Sequence, residues 1–133
     1  MKEQGYSVVH RVKKAETSNI IRVYKTKEGS IVQIVHSEGY KSTIELLVAI
    51  NNNYVEKVNI LSQHETEDYG GYIKEQWFLN RLCLPITPKL NLIKINKVNA
   101  NDVVAVTGAT ISSQAVVDGV NLCIDNYGGL KDE

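Results

Sequence analysis

The sequence is poor in most of what metal, disulfide or nucleic-acid chemistry would require. It has two cysteines, Cys83 and Cys123. That is no disulfide framework, and no adjacent His or Cys pair completes a metal site. Cys123 falls on the apolar side of a predicted helix and Cys83 lies between Leu82 and Leu84, so both read as buried thiols, although one disulfide between them stays open. The three histidines, His10, His36 and His64, are scattered. Nothing sets one of them beside a hydroxyl nucleophile, so no catalytic residue and no metal ligand is assigned. Positive charge is not in excess: 15 Lys and Arg balance 15 Asp and Glu, which argues against nucleic acid or an acidic membrane as a general partner. No apolar run approaches the roughly 18 residues of a membrane-spanning helix, and no signal-type segment precedes the first charges. The chain as it stands reads as soluble.

What is present is an ordinary globular composition, 43% apolar and 23% charged over 133 residues. This predicts one domain over 1–133, long enough to remove about two-thirds of its unfolded surface from water. The first half reads as strands joined by tight turns. Val8, Val9 and Val12 suggest a short strand. Asn19 to Thr26 alternates, with Ile21 and Val23 facing one way and Ile20, Arg22 and Tyr24 the other. Lys27-Glu28-Gly29 reads as a hairpin turn, Ile31 to His36 as the returning strand and Ser37-Glu38-Gly39 as a second turn. Thr43 to Ile50 is the clearest strand, with Ile44, Leu46, Val48 and Ile50 on one face. Asn51-Asn52-Asn53 turns it into Val55 to Gln63. The expectation is an α+β fold: an antiparallel meander with one buried face, packed with a short central helix and a C-terminal helix. The central helix is predicted over Tyr72 to Leu82, with Ile73, Trp77, Phe78 and Leu82 inward, ended by Pro85 and Pro88. Leu90 to Val98 reads as a strand. The last helix is expected to stop at Gly128-Gly129.

The densest chemistry sits late. Val103 to Val106 reads as a short buried strand, Thr107-Gly108-Ala109-Thr110-Ile111-Ser112-Ser113 as a small-residue turn, and Val116, Val120, Cys123, Ile124 and Tyr127 as one helix face. Strand, tight turn and helix N-terminus are the parts of an anion site, with unpaired N–H groups and the positive end of the helix dipole facing outward. Gly108 allows close backbone approach. The same hydroxyls also suit a plain N-cap, each contributing about 1 kcal/mol without any ligand. Residue chemistry alone leaves both readings open.

Thr107 to Ser113 resembles the flavin-attachment motif of the FMN-binding domain family, found in the RnfG and NqrC subunits of membrane redox complexes. There the final threonine of the Gly-Ala-Thr run carries FMN through a phosphoester, which here implies Thr110. The likeness extends from about Gly29 to Asn126 and includes Gly39-Tyr40 and the run His64 to Gly71. The family's second motif reads Glu-Thr-Pro-Gly-Leu-Gly; Glu65, Thr66 and Gly70 match it, while Glu67 and Asp68 replace its proline and first glycine. Val104 stands where the family usually has an aspartate read by the flavin-transferring enzyme.

The resemblance implies a site made of Thr107, Gly108, Ala109, Thr110, Ser112 and Ser113 at the phosphate, with Glu65, Thr66 and Gly70 approaching the flavin. Ser112 and Ser113 would donate to phosphate or cap the helix. Tyr69, Tyr72 and Trp77 could wall a ring slot or belong to the core and rim. The acidic run Glu65, Glu67 and Asp68 would oppose formation of an anionic hydroquinone and lower the flavin potential. The implied partners are other subunits of a redox complex and an FAD-dependent FMN transferase. The implied setting is the extracytoplasmic face of the cell membrane. Contact with the membrane itself would come only through a segment absent from this chain, since family members usually carry an N-terminal anchor or signal sequence. Two rivals remain: a small flavin reductase or oxidase with non-covalent FMN, and an interaction module that has lost its cofactor.

Overall fold

The structure is a computed structural model that describes residues 2–3, 6–11, 19–39, 42–63 and 70–130, with side chains from residue 19 onward. Six strands form one antiparallel sheet in chain order: β1 (Lys2–Glu3), β2 (Tyr6–Arg11), β3 (Ile20–Thr26), β4 (Ile31–Glu38), β5 (Thr43–Asn51) and β6 (Tyr54–Ser62). Turn chemistry explains the meander. Gly29, at φ 88°, closes β3–β4, and its N–H donates to the Thr26 carbonyl. Asn52 and Asn53, at φ 53° and 62°, close β5–β6. Two successive left-handed residues make the tight turn whose twist matches an antiparallel pair, and asparagine tolerates that conformation. The turn expected at Ser37-Glu38-Gly39 comes later. β4 runs on to Glu38, and the Gly39 N–H donates to the Ser42 carbonyl.

Three further expectations are corrected by the backbone. First, Ile21 and Val23 do not share a face: Ile20 pairs with Val35 and Arg22 with Ile34, so an extra residue bulges out between them. The bulge reverses the alternation. Ile20 and Val23 therefore enter the main core, and Ile21 packs with Tyr24, Val32, Ile34, Leu47, Ala49 and Leu61. Second, that group is itself buried, so the sheet has an apolar cluster on each face rather than one buried face. Third, the central helix is broken into a 3₁₀ turn (Gly70–Lys74), α1 (Gln76–Leu79) and a second 3₁₀ turn (Asn80–Leu82). Glu75 is extended, at φ −73° and ψ 139°, so the helical phase is lost between Ile73 and Trp77. Ile73, Phe78 and Leu82 are buried as expected, but Trp77 turns outward and is 47% exposed.

The strand expected from Leu90 to Val98 is only β7 (Asn91–Ile93), and it runs parallel to β8 (Asp102–Val104). Polar side chains take over the intervening backbone groups. Asp102 accepts from the Val98 and Asn99 amides at 3.1 and 2.8 Å, and Lys97 Nζ donates to the Ala100 and Asp102 carbonyls.

α2 (Thr110–Leu130) packs on the sheet and passes through Gly128 and Gly129 rather than stopping there. Val116, Val120, Cys123, Ile124 and Tyr127 are all buried, each apolar side chain worth about 1.5–3 kcal/mol. Its register is set by β4. Ser37 Oγ donates to the Ala115 carbonyl at 2.6 Å, and the buried Gln33 donates to the Cys123 carbonyl at 2.8 Å. Between them a Cβ on Gly119 would collide with Leu46 Cδ1 and touch Val35 and Ser37 at 3.5 Å. Two strand residues advance about 6.6 Å and four helix residues about 6.0 Å, so positions 37, 35 and 33 match positions 115, 119 and 123 in step. Asn126 also donates to the Gln33 side-chain oxygen, and Asn121 holds both backbone groups of Leu90 at 3.0 Å.

Candidate functional site

The pegged helix presents its N-terminus beyond the end of β8. The Ala109 N–H donates to the Val106 carbonyl at 2.9 Å, closing a turn in which Gly108 has φ 79°. A left-handed residue at that position of a tight turn demands glycine. The Ser113 N–H donates to the Ala109 carbonyl, so Ala109 is the N-cap residue. Alanine has no side-chain oxygen and is among the poorest caps. The amides of Thr110 and Ile111 fall in the first turn, where no intrahelical carbonyl can reach them.

The four hydroxyls separate into two pairs. Thr107 and Thr110 are exposed, as is Gly108. Ser112 and Ser113 are buried. Ser113 Oγ accepts from the Val106 N–H at 3.0 Å, so it ties the strand exit to the helix instead of facing solvent. Sequence reasoning gave Ser112 and Ser113 to phosphate or a cap; burial turns both inward. A flavin phosphate therefore meets a side-chain-free Gly108, an exposed Thr110 and the first-turn amides of Thr110 and Ile111, which fits a phosphate group. Glu65, Thr66, His64 and Tyr69 lie outside the described residues, and Gly70 opens the first 3₁₀ turn.

Around the strand that feeds this turn stands a group of which the sequence announced Trp77 and Tyr72 but not Arg81. Arg81 donates to the Val104 carbonyl at 2.7 Å, and its guanidinium lies 5.0 Å from the Trp77 ring centroid. Trp77 in turn lies 6.3 Å from Tyr72. Asn80, Arg81, Leu84, Lys97, Asp102 and Val104 line a cleft of about 310 Å³. A larger cleft, about 680 Å³, is lined by Ile124, Asp125 and Gly128 among others. Fourteen residues of helix from Thr110 to Ile124 put it roughly 20 Å from the turn, so the larger cavity is not the one beside the motif.

Asp102 is buried, and the amide of Asn99, then that of Asn91, holds its carboxyl below the usual carboxylate range despite that burial. It cannot stand in for the carboxylate missing at Val104, because its oxygens are turned onto Val98, Asn99 and Asn91. Both cysteines are free. Burial raises the Cys83 thiol, with the charge of Glu56 adding to it, and burial pushes Cys123 far up. Neither is a nucleophile at neutral pH. Among the described residues, no group of three His, Cys, Asp or Glu could hold a metal ion. None of their helices is long and apolar enough to cross a membrane.

An α+β meander that presents a glycine turn at a helix start has the parts of an anion-binding domain. Residues 39–125 match the FMN-binding domain, and the chain belongs to that family, with FMN as its cofactor. It is 34% identical over 90 residues to the G component of the proton-translocating ferredoxin:NAD(+) oxidoreductase complex of Clostridium ljungdahlii, covering 67% of this chain and 48% of that protein. It is 28% identical over 105 residues to the G component of the Na(+)-translocating ferredoxin:NAD(+) oxidoreductase complex of Acetobacterium woodii, covering 77% of this chain and 51% of that one. The chain thus spans about half the length of these relatives. Two solved structures share its fold. The C component of the Na(+)-translocating NADH-quinone reductase of Parabacteroides distasonis has a TM-score of 0.67 at 16% identity, over 86% of this chain and 62% of that chain. NqrC of Shewanella oneidensis has 0.65 at 21% identity, over 84% and 59%.

Proposed function

We propose that the chain is a one-domain electron relay whose FMN is esterified to Thr110, with Thr107, Gly108 and Ala109 shaping the phosphate seat and Glu65, Thr66 and Gly70 approaching the ring. The observation that supports it best is the exposed Thr110 hydroxyl on a helix start whose N-cap, Ala109, offers no capping oxygen. A ligand phosphate would satisfy those amides and place its negative charge at the positive end of the dipole. In the attachment step the Thr110 oxygen bonds to the FMN-side phosphorus of FAD. The phosphoanhydride breaks, AMP leaves, and the hydroxyl proton is lost to solvent. A separate FMN transferase carries out this step. Bound flavin supplies one- and two-electron chemistry, and the surrounding residues orient it and tune its potential. The relatives' names, components of ion-translocating ferredoxin:NAD(+) oxidoreductase complexes, motivate other subunits of a redox complex as donor and acceptor. The extracytoplasmic face of the cell membrane is proposed on the family resemblance alone.

A second reading, FMN held without the ester in a reductase or oxidase, is favoured by Val104, which brings no carboxylate to the position before the motif. Intact mass and the visible spectrum of protein made with and without the transferase separate the two. The relay reading expects a mass increase of one FMN less one water, retained after denaturation, only with the transferase. Yellow protein that releases all its flavin on denaturation supports the second reading. Colourless protein that takes up no FMN overturns both.

A further inference from the structure

We infer that the surface formed by the β7–β8 crossover, together with Arg81 and Trp77, is the docking face for a redox partner protein that presents carboxylates around an apolar centre. The inference rests on the electron-relay reading above.

β8 lies between β7 on one edge and Arg81 on the other. The Ala105 N–H donates to the Ile93 carbonyl at 2.9 Å, so Lys94 and Ile95 leave the ladder at the end that feeds Thr107. On the opposite edge Arg81 holds the Val104 carbonyl and covers Trp77. Both flanks of the flavin turn are therefore cationic and apolar. Ile95, two residues past β7 at that end, is 75% exposed, and Trp77 adds a half-exposed ring; Val98, 84% exposed, lies toward the other end of β8, where its N–H donates to Asp102. Exposed apolar side chains beside a functional turn mark an interaction surface more often than chance exposure does.

Charge selects the occupant. Residues 89–101 hold three lysines, Lys89, Lys94 and Lys97, and no acid. Lys89 is paired with Asp125 at 3.2 Å, while Lys94 is exposed. Asp102 spends its charge inward on the loop amides. Lys97 and Arg81 meet at the 310 Å³ cleft, and the Arg81 fork suits a carboxylate. A lipid surface is the weaker fit. Three exposed cations on a chain of zero net charge give little attraction to anionic lipid, whereas a fixed guanidinium beside an indole gives a protein side chain a defined seat.

The test uses FMN-loaded protein, checked first by its flavin spectrum, so that a failure to bind FMN is seen separately. Electron transfer from the reduced domain to two protein probes is followed by stopped flow: oxidised flavodoxin, which is acidic, and ferricytochrome c, which is basic. The variants Lys94→Glu and Ile95→Asp are chosen because both side chains are exposed. The inference expects about tenfold slower transfer to flavodoxin in Lys94→Glu, a shallower salt dependence, and no such loss with cytochrome c. Ile95→Asp should slow transfer to flavodoxin as well. Equal rates to flavodoxin in wild type and Lys94→Glu would overturn the proposal. So would binding of wild type, but not Lys94→Glu, to vesicles of phosphatidylcholine and phosphatidylglycerol, or self-association that Ile95→Asp abolishes.

Discussion

Gly119 is the residue on which the distance between helix and sheet depends. A methyl there runs into Cδ1 of Leu46, a fully buried side chain that would have to shift within the core. Gly119→Ala should therefore destabilise the protein by about 1–3 kcal/mol despite alanine's better helix propensity. Chemical denaturation measures this, and a second substitution, Leu46→Val, should recover part of the loss by removing the colliding carbon. Asp102 gives a pH-dependent counterpart. Its folded-state pKa lies below its unfolded value, so its stabilisation is complete above the unfolded pKa and fades as pH falls through the folded one. Asp102→Asn should cost stability at neutral pH, and the gap from wild type should close below about pH 4. Urea midpoints at pH 7 and pH 3 check both halves. An equal gap at the two pH values would mean that the aspartate acts by shape rather than charge. Neither residue was singled out in the sequence. A glycine inside an apolar helix and an aspartate closing an Asn-rich turn both have bland readings until the neighbours are known.

At the scale of elements, legibility followed locality. The Gly29 and Asn52-Asn53 turns, β5 and the buried face of α2 were readable because their signals are local: left-handed turn residues, period two and period 3.6. The β3 bulge was not, because it depends on how β4 pairs with β3 rather than on either strand alone. The split central helix was lost at Glu75, whose extended backbone no propensity signals. β7 is shorter than expected because the alternation begun by Leu90 and Leu92 gives no sign that Asp102, farther along the chain, takes the amides of Val98 and Asn99. The turn at Gly108 is an element-level device too. Ser113 belongs to the helix but satisfies an amide of the preceding segment. Ser113→Ala should leave a buried N–H unpaired, at about 1–3 kcal/mol. The sharpest readout is local: hydrogen exchange at the Val106 amide should speed up by about tenfold or more, while amides in β5 should change little. Uniform acceleration would show a global loss instead of a loosened turn.

For the whole molecule, family membership explains why the cofactor could be named while so little of its pocket could be assembled from composition. The motif is contiguous in sequence, whereas Arg81, with Trp77 beneath it, comes to the preceding strand at Val104 from another part of the chain. The polar locks from β4 and the glycine between them make the scaffold self-sufficient. Thr110→Ala should thus fold normally, with an unchanged circular dichroism spectrum and a melting temperature near that of the unloaded wild type, yet show no covalent flavin by mass. Loaded wild type should melt higher than either, since the esterified flavin stays on the unfolded chain but buries its ring only against the native one. A Thr110→Ala protein that still carries flavin through denaturation would move the ester to another hydroxyl, with Thr107 first.

The parallel pairing of β7 with β8 has an evolutionary corollary. Thr107 inherits its position from β8 and from a helix bolted to β4, not from the eight residues that cross between the two short strands. That crossover can lengthen, shorten or change its side chains without moving the turn at Gly108. On the relay reading proposed above, one scaffold can in this way be refitted for different electron-exchange companions while the seat for the flavin stays constant.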